Sequence, residues 1–555
     1  MTFTLVIGDY YCTKVCHIKM MRSIITILFI AAFSNAYSQK DTRPNIVIIL
    51  ADDMGYSDIG SYGGEIPTPN IDKLAAKGVR LKQFYNTARC CPTRASLLTG
   101  LTPHEAGVGH MAEDPEKPGI NDWGVHGYRG YLNRNSVTIA EVLKNAGYHT
   151  YMSGKWHIGM HGQEKWPLQR GFERYYGILS GGASHLQPFP PRGITVDNAP
   201  PVYPSKDENF YDTDAFTDNG IKFIREQKDK KPFFLYLAHT APHWPLQAKK
   251  EDYEKFIGKY MQGWDAIRQE RFRKQVKLGI TKNEWGLATR DVRPWNELTE
   301  KEKEDVDFRM AVYAAQVYCM DYNVGKLIDA LKKQGKFDNT LILFLSDNGG
   351  AGEPYKELGG RPQSEVNDPT KFWSVSYGMG WANVSNTPFR RFKVETYEGG
   401  ISTPLIAHWP AGIKSQAGKW NSTPYYLIDI MPTLIDVAKT MYPATFHNGN
   451  KILPNQGISM LPAFTQGKGK AHQYMYWEHE DNCAIRCGKW KAVKKLASPT
   501  WELYDMDKDR TEKNDLANKN PALVKQLNDE WYRWANSHFV LPKGDQKEVY
   551  KKDTK

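Results

Sequence analysis

The sequence predicts an α/β protein: a large mixed, mostly parallel sheet sandwiched by helices, followed by a smaller C-terminal α+β subdomain. Three observations carry this. Continuous apolar, β-branched runs of strand length recur at 45–50, 148–152, 233–237, 341–345 and 404–407, the pattern of strands buried on both faces. Helical stretches at 71–77, 138–146 and about 305–334 lie between several of them and stop at Gly78, Gly147 and Gly335, where a helix end needs glycine. After about residue 440 the texture changes to Asn, Gly and Pro at 448–455, shorter strand-like pieces such as 474–477, and a late helix at 521–534.

In chain order, the first element must be set aside before the fold is read. Met20-Met21-Arg22, the apolar run 24–33 and Ala36-Tyr37-Ser38 before Gln39 read as a signal peptide of about 20–38. The apolar run is too short to span a bilayer, and no cysteine follows the cleavage point directly. The expectation is an exported protein, periplasmic or secreted, without stable membrane insertion. Residues 1–38 then form a leader, 39–440 the main domain and 441–555 the C-terminal subdomain. Within the main domain, 251–302 is highly charged, has no clear strand pattern and reads as an insertion near the substrate side.

A chain of 555 residues with 41% hydrophobic and 24% charged residues can bury one large core and a smaller second one. The net charge of +11 favours a polyanionic partner, nucleic acid or sulfated polysaccharide. The Lys and Arg are spread along the chain and no zinc-finger, RRM or basic-zipper pattern occurs, which argues against nucleic acid. After the leader only Cys90, Cys91, Cys319, Cys483 and Cys487 remain, too few for a disulfide-built scaffold in a chain of this size. Cys483 and Cys487 are spaced for one local bridge, and lack the partner pair that a zinc site needs.

In open α/β sheets, ligands bind beyond the carboxyl ends of parallel strands, so polar clusters directly after the apolar runs are the candidates. Asp52-Asp53 follow the first run, Lys155 and His157 the second, His239 and His243 the third, and Asp347-Asn348 the fourth. Asp52, Asp53, Asp347 and Asn348 offer hard oxygen ligands suited to calcium or magnesium. A lone Asp after a strand equally well caps a turn, but the duplicated pattern favours a cation. In the segment 88–100, Pro92 sits at the first turn of a helix, which puts Cys90 at a helix N-terminus. A cysteine there is acidified and reactive; the alternative is two buried cysteines beside a turn.

At this point the motifs converge. Cys90-x-Pro92-x-Arg94 with Leu98-Thr99-Gly100 resembles the signature of the type I formylglycine sulfatases, arylsulfatase-like members of the alkaline phosphatase superfamily. Gly154-Lys155-Trp156-His157, Ala241-Pro242-His243-Trp244-Pro245, Ser346-Asp347-Asn348-Gly349 and Lys393 with Glu398-Gly399-Gly400 resemble the family's blocks, in its order. The likeness runs from about 45 to 484 and more weakly into 501–505. Only Cys90 lies two residues before Pro92, which leaves Cys91 a bystander.

The resemblance implies an alkaline phosphatase-like fold and a sulfuric ester hydrolase. It implies that a dedicated maturation enzyme oxidises Cys90 during export to formylglycine (3-oxoalanine), whose hydrated form attacks sulfur. One divalent cation, Ca2+ in preference to Mg2+, would be held by Asp52, Asp53, Asp347, Asn348 and residue 90. Arg94 and Lys155 would stabilise the hydrated aldehyde, Lys393 would grip the sulfuryl group, His243 would protonate the departing alcohol, and His157 would help residue 90 lose a proton. His185, on a glycine-rich loop, and His239 are candidate substrate contacts, while His104 and His110 are candidates for the pocket wall. The expected partner is a sulfated glycan, for example an algal ulvan, carrageenan or fucan, in a bacterial setting. Arg391 and Phe392 depart from the usual pattern before Lys393 and bear on substrate shape. Two other readings stand beside this one: a phosphonate monoester or phosphodiester hydrolase of the same superfamily, and an inactive secreted glycan-binding protein using some of the 16 Trp and 31 Tyr.

Overall fold

The computed structural model describes residues 41–204, 209–446 and 449–544, so the expected leader lies outside the described residues. The centre of the fold is a ten-stranded sheet made of β1 (Asn45–Ala51), β2 (Val79–Tyr85), β3 (His149–Gly154), β4 (Arg174–Gly177), β5 (Thr195–Val196), β6 (Phe233–Ala238), β7 (Thr340–Ser346), β8 (Ser402–His408), β9 (Trp420–Asn421) and β10 (Tyr425–Tyr426). Its order is β10-β2-β8-β7-β1-β6-β3-β4-β5, with β9 pairing on β2. β7, β1, β6 and β3 are adjacent and mutually parallel, whereas β8 runs antiparallel to both β7 and β2.

The apolar runs form these central strands because both faces of the sheet are covered. In β1, Ile46, Ile48 and Leu50 enter one core, with Tyr236 and Leu343, while Val47, Ile49 and Ala51 enter the other, with Leu235 and Phe344. Each such buried aliphatic side chain contributes about 2 kcal/mol of hydrophobic stabilisation. The long predicted helix is Glu300–Lys333, opened by a capping box between Thr299 and Glu302. Its C-terminal half packs Met320, Val324, Leu327 and Leu331 under the sheet.

β2 was not marked by an apolar run, because Arg80, Lys82 and Gln83 interrupt it on its half-buried face. The charged stretch 251–302 holds no strand among the described residues and contains the helix Trp264–Lys277. Arg271 anchors that helix beside β1 through Asp58 and Glu65, at 2.7 Å each.

Toward the C-terminus, Tyr474–His479, Asn482–Cys487, Trp490–Lys495 and Glu502–Asp505 form an antiparallel sheet of four strands. The helix Pro521–Ser537 covers one face with Leu527, Trp531 and Trp534. The other face presents Met475, Trp477, Ala484 and Val493 to Tyr85, Ile401 and Tyr426 of the main body. Cys483 and Cys487 are both free; four positions apart along one strand, their Cα atoms are about 13 Å distant, too far to bridge. Among the described residues, no helix is long and apolar enough to cross a membrane.

Candidate active site

Four polar clusters expected after strands lie together because β7, β1, β6 and β3 are neighbours and end on the same edge. Asp52 and Asp53 leave β1, Lys155 and His157 leave β3, His239 and His243 leave β6, and Asp347 and Asn348 leave β7. Asp53 takes a left-handed backbone, φ 65°, which aspartate tolerates and which turns its carboxylate back into the site. Its N–H donates to Asp347 Oδ1 at 3.0 Å, tying the β1 and β7 ends together.

Three cations meet the three carboxylates. Arg94, on the helix Cys90–Thr99, donates from Nη2 to Asp347 Oδ2 at 2.8 Å and lies 3.6 Å from Asp52 Oδ1. Lys155 Nζ donates to Asp52 Oδ2 at 2.5 Å, and Lys393 Nζ donates to Asp53 Oδ2 at 2.9 Å. All six side chains are buried. Burial, reinforced by the neighbouring Asp347, pushes the Asp52 carboxyl well above the usual range, and burial also raises Asp53 against the pull of Lys393.

The donor set fits a hard divalent cation. Asn348 Nδ2 donates to Asp53 Oδ1 at 2.7 Å, which leaves the amide oxygen as the free atom of the side chain. That oxygen and Asp52 Oδ1 are buried with no hydrogen-bond partner. Such oxygens are costly unless something not made of protein completes them, and oxygen ligands from two adjacent strand ends match calcium or magnesium. His243 brings a ring nitrogen close to Asp52 and Asp53 as well.

Cys90 opens its helix beside this cluster, and Lys155, His157 and Lys393 all act on it. A hydrogen bond from Cys91 holds the Cys90 thiol well below its usual range, against burial and with help from those three groups. Cys91 instead accepts from the Ala112 N–H at 3.2 Å, and burial pushes its thiol up. His157 also has a left-handed backbone, φ 57°, and its ring lies against Gly181, where a Cβ would come within 2.5 Å of Nε2. The glycine is therefore required for the histidine to lie there. Burial lowers His157 to about 4, so it is neutral and able to accept a proton. His243 hydrogen-bonds through Nδ1 to the Trp244 carbonyl, and its Nε2 points inward, 3.4 Å from both Lys393 Nζ and Asp53 Oδ2.

The expected substrate contacts take other positions. His185 is buried, with Nδ1 on Asp212 at 2.9 Å and Nε2 on the His243 carbonyl at 3.0 Å. Both nitrogens are spent on protein, so in place of a substrate contact the structure shows a brace for the His243 turn. His239 is fully buried, neither ring nitrogen has a hydrogen-bond partner, and burial lowers it to about 4; it offers no exposed edge to a substrate. His104 is engaged with Glu478 at 2.8 Å, and His110 packs against Trp123 at a tilt of 49°, with centroids 3.9 Å apart.

Sequence reasoning missed Glu353 and Arg89. Glu353 Oε2 lies 3.1 Å from Lys393 Nζ, while its Oε1 accepts from Arg89 at 2.6 Å, so it orients the lysine from outside. The only signal was an acidic residue ending the glycine-rich run after Asn348, and an arginine directly before Cys90.

Comparison with known proteins gives the family of the chain. The Sulfatase family matches residues 44–440, and the family of the N-sulphoglucosamine sulphohydrolase C-terminal region matches 390–537. The chain is 36% identical over 530 residues to an uncharacterised sulfatase of Schizosaccharomyces pombe, covering 90% of this chain and 94% of that one. It is 35% identical over 449 residues to an arylsulfatase of Klebsiella aerogenes, covering 77% and 93%. Among solved structures, Ps i-CgsB, crystallised with k-i-k-neocarrahexaose, is 29% identical, superposes with a TM-score of 0.64 and covers 91% of this chain and 94% of its own. With the Cys90 block, the paired strand-end carboxylates and these relatives in one frame, the chain belongs to the sulfatase family of the alkaline phosphatase superfamily and is a sulfuric ester hydrolase.

Proposed function

We propose that this sulfatase desulfates a sulfated polysaccharide or its oligosaccharides, working with Cys90 converted to formylglycine and with one calcium ion. The observation that carries the reading is the pair of orphaned oxygens, Asp52 Oδ1 and Asn348 Oδ1, in a buried cluster next to residue 90. Asp52, Asp53, Asp347, Asn348 and residue 90 would hold the cation. When bound, these two groups supply charge neutralisation for a sulfate oxygen and a hydroxyl nucleophile.

The chain's own residues do the rest. Lys155 and Arg94 hold positive charge beside residue 90, and Lys393, oriented by Glu353, faces the transferring sulfuryl group. His243 gives its Nδ1–H to the Trp244 carbonyl, so it acts as proton donor from Nε2 only as the imidazolium, which burial and Lys393 disfavour and which the negative charge of a bound sulfate ester would restore. His157, neutral and adjacent to residue 90, takes the proton that lets sulfate leave. The glycan preference is supported by the neocarrahexaose held by Ps i-CgsB, and points to algal galactans ahead of ulvan or fucan. Export to the periplasm or beyond is proposed from the 20–38 leader, and N-terminal sequencing of the mature protein beginning at Gln39 would support it.

The test is mass analysis of the peptide carrying Cys90 from protein coexpressed with a maturation enzyme, together with sulfate release from aryl and carrageenan-derived esters. Aldehyde at residue 90 with sulfate release, both lost in Cys90→Ala, is expected. Aldehyde without sulfate release from any ester would overturn the reading and favour phosphonate or phosphodiester substrates.

A further inference from the structure

Beside the proton donor lies an aromatic surface that the chemistry at sulfur does not use. The Trp244 ring lies 4.6 Å from that of His243, and Phe372 and Trp373 pack on Trp244 with centroids 5.2 and 5.7 Å away. Trp373 is 53% exposed, a large apolar surface left uncovered at the mouth of a buried site. Trp244 Nε1 is buried without a hydrogen-bond partner. The segment bearing Phe372 and Trp373 is held in place: Gln247 donates to the carbonyls of Asp368 and Lys371 at 2.6 and 3.1 Å, and Ser184 to that of Pro369 at 2.9 Å.

Arg192 completes the surface. Its guanidinium stacks over Phe372 and Trp373, 4.5 and 4.8 Å from the ring centroids, and the side chain is 6% exposed. It donates to the Gly182 carbonyl at 3.2 Å, and its one ion-pair partner among the described residues is Glu116, distant at 3.9 Å and itself 47% exposed. A Cβ on Gly182 would lie 3.3 Å from Phe372 and 4.0 Å from His243, so the loop that positions Arg192 also touches the proton donor. A buried guanidinium with so weak a partner is poised for a stronger anion.

We propose that Trp244, Trp373 and Arg192 form a leaving-group subsite that selects substrates carrying a second anionic substituent, sulfate or carboxylate, on the ring next to the scissile ester. The proposal rests on the sulfatase reading with His243 as proton donor. The oxygen that leaves must come within about 3 Å of His243 Nε2, which brings its ring against Trp244 and Trp373. Sugar rings present C–H faces to aromatic platforms of this kind, and the partly exposed indole provides one. A neighbouring anion on that ring then meets Arg192, whose planar fork suits the oxygens of either group.

The experiment uses matured full-length protein and three aryl probes, which avoid dependence on sugar regiochemistry: phenyl sulfate, 3-carboxyphenyl sulfate and benzene-1,3-diyl bis-sulfate. In Arg192→Gln, the ratio of kcat/KM for each dianionic probe to that for phenyl sulfate is expected to fall about tenfold or more, with Arg192→Lys falling less. The dianionic probe with the larger drop identifies sulfate or carboxylate as the recognised group. Trp373→Ala is expected to raise KM for all three probes more than it lowers kcat. An Arg192→Gln ratio within twofold of the unmutated protein, or an equal loss on all three probes with a lowered Tm, would overturn the proposal and make Arg192 a structural brace. If the unmutated matured protein releases sulfate from none of the probes, the failure belongs to the sulfatase reading and not to the subsite.

Discussion

Two buried clusters of charge in this protein look alike in composition and differ in how their oxygens are completed. Around Glu398 and Glu512, Lys491 bridges both carboxylates at 3.0 and 2.8 Å, Arg510 binds Glu398 at 2.7 Å, and the Glu398 N–H donates to Glu512 at 2.8 Å. Three of the four carboxylate oxygens there accept hydrogen bonds, and the fourth, Glu512 Oε1, accepts none but ion-pairs with Lys491 at 2.8 Å. Lys491 and Arg510 hold Glu398 below the usual range against burial, while burial pushes Glu512 up. Around Asp52, Asp53 and Asp347 there are three cations, Arg94, Lys155 and Lys393, yet Asp52 Oδ1 and Asn348 Oδ1 remain open. The first cluster joins the main body to the C-terminal sheet; the second leaves oxygens open, which the proposed function assigns to a cation. Close pairing of each oxygen with a protein donor or cation, not burial or charge, separates them.

Four measurements would break or sharpen that contrast. The largest effect is expected at residue 90: Cys90→Ala should lower kcat for sulfate release about a thousandfold or more while shifting Tm little, since the nucleophile is lost and no charged partner is stranded. A matching loss of Tm would place Cys90 in the structural class. Glu398→Gln should do the reverse, costing about 3–5 kcal/mol in urea unfolding because Lys491 and Arg510 are left buried without their carboxylate. Sulfate turnover per folded molecule should persist, and an intact midpoint would remove the cluster's structural role.

Acid also tests a fully paired carboxylate, Glu478, which His104 and Lys543 bind at 2.8 and 2.7 Å. Burial opposes its ionisation, but these partners lower it from 4.5 to about 2. A carboxyl with a depressed folded pKa stabilises above its unfolded value, and that stability is lost as pH falls from about 4.5 toward 2. The amount is about 3 kcal/mol, read as a falling urea midpoint that Glu478→Gln no longer shows. The smallest effect is expected from the open class: calcium at a hundredfold excess over Kd should stabilise by about 2.7 kcal/mol, and chelation should reverse the Tm rise. Asp347→Asn should abolish this response, and a Tm insensitive to calcium in the unmutated protein would argue against a cation at the paired strand ends.

Much of the site was legible because its residues follow strands. A β-branched apolar run followed by Asp-Asp or Asp-Asn is a local pattern, and parallel strands bring such ends to one edge whatever lies between them. Cys90, Arg94, Lys155, His157, His243 and Lys393 were named on motifs with local spacing, and the fold brings all six together. What was not legible depends on partners far apart in sequence. His185 looked available because its loop is glycine-rich, but Asp212 and the His243 carbonyl occupy both nitrogens. Glu353 carries no motif, and its contacts with Arg89 and Lys393 arise only when the loop after β7 folds over the Cys90 helix.

By itself, then, the sequence determined the α/β class, the central strands, the sulfatase family and the set of groups able to do the chemistry, because hydrophobic period and short-range spacing are properties of neighbouring residues. Only the tertiary structure decided which oxygens stay open, which histidines are braces, that Cys483 and Cys487 are out of reach along one strand, and that Arg192 stacks on Phe372 and Trp373. Those are questions of hydrogen-bond completion and packing between segments up to hundreds of residues apart, and no local pattern records them.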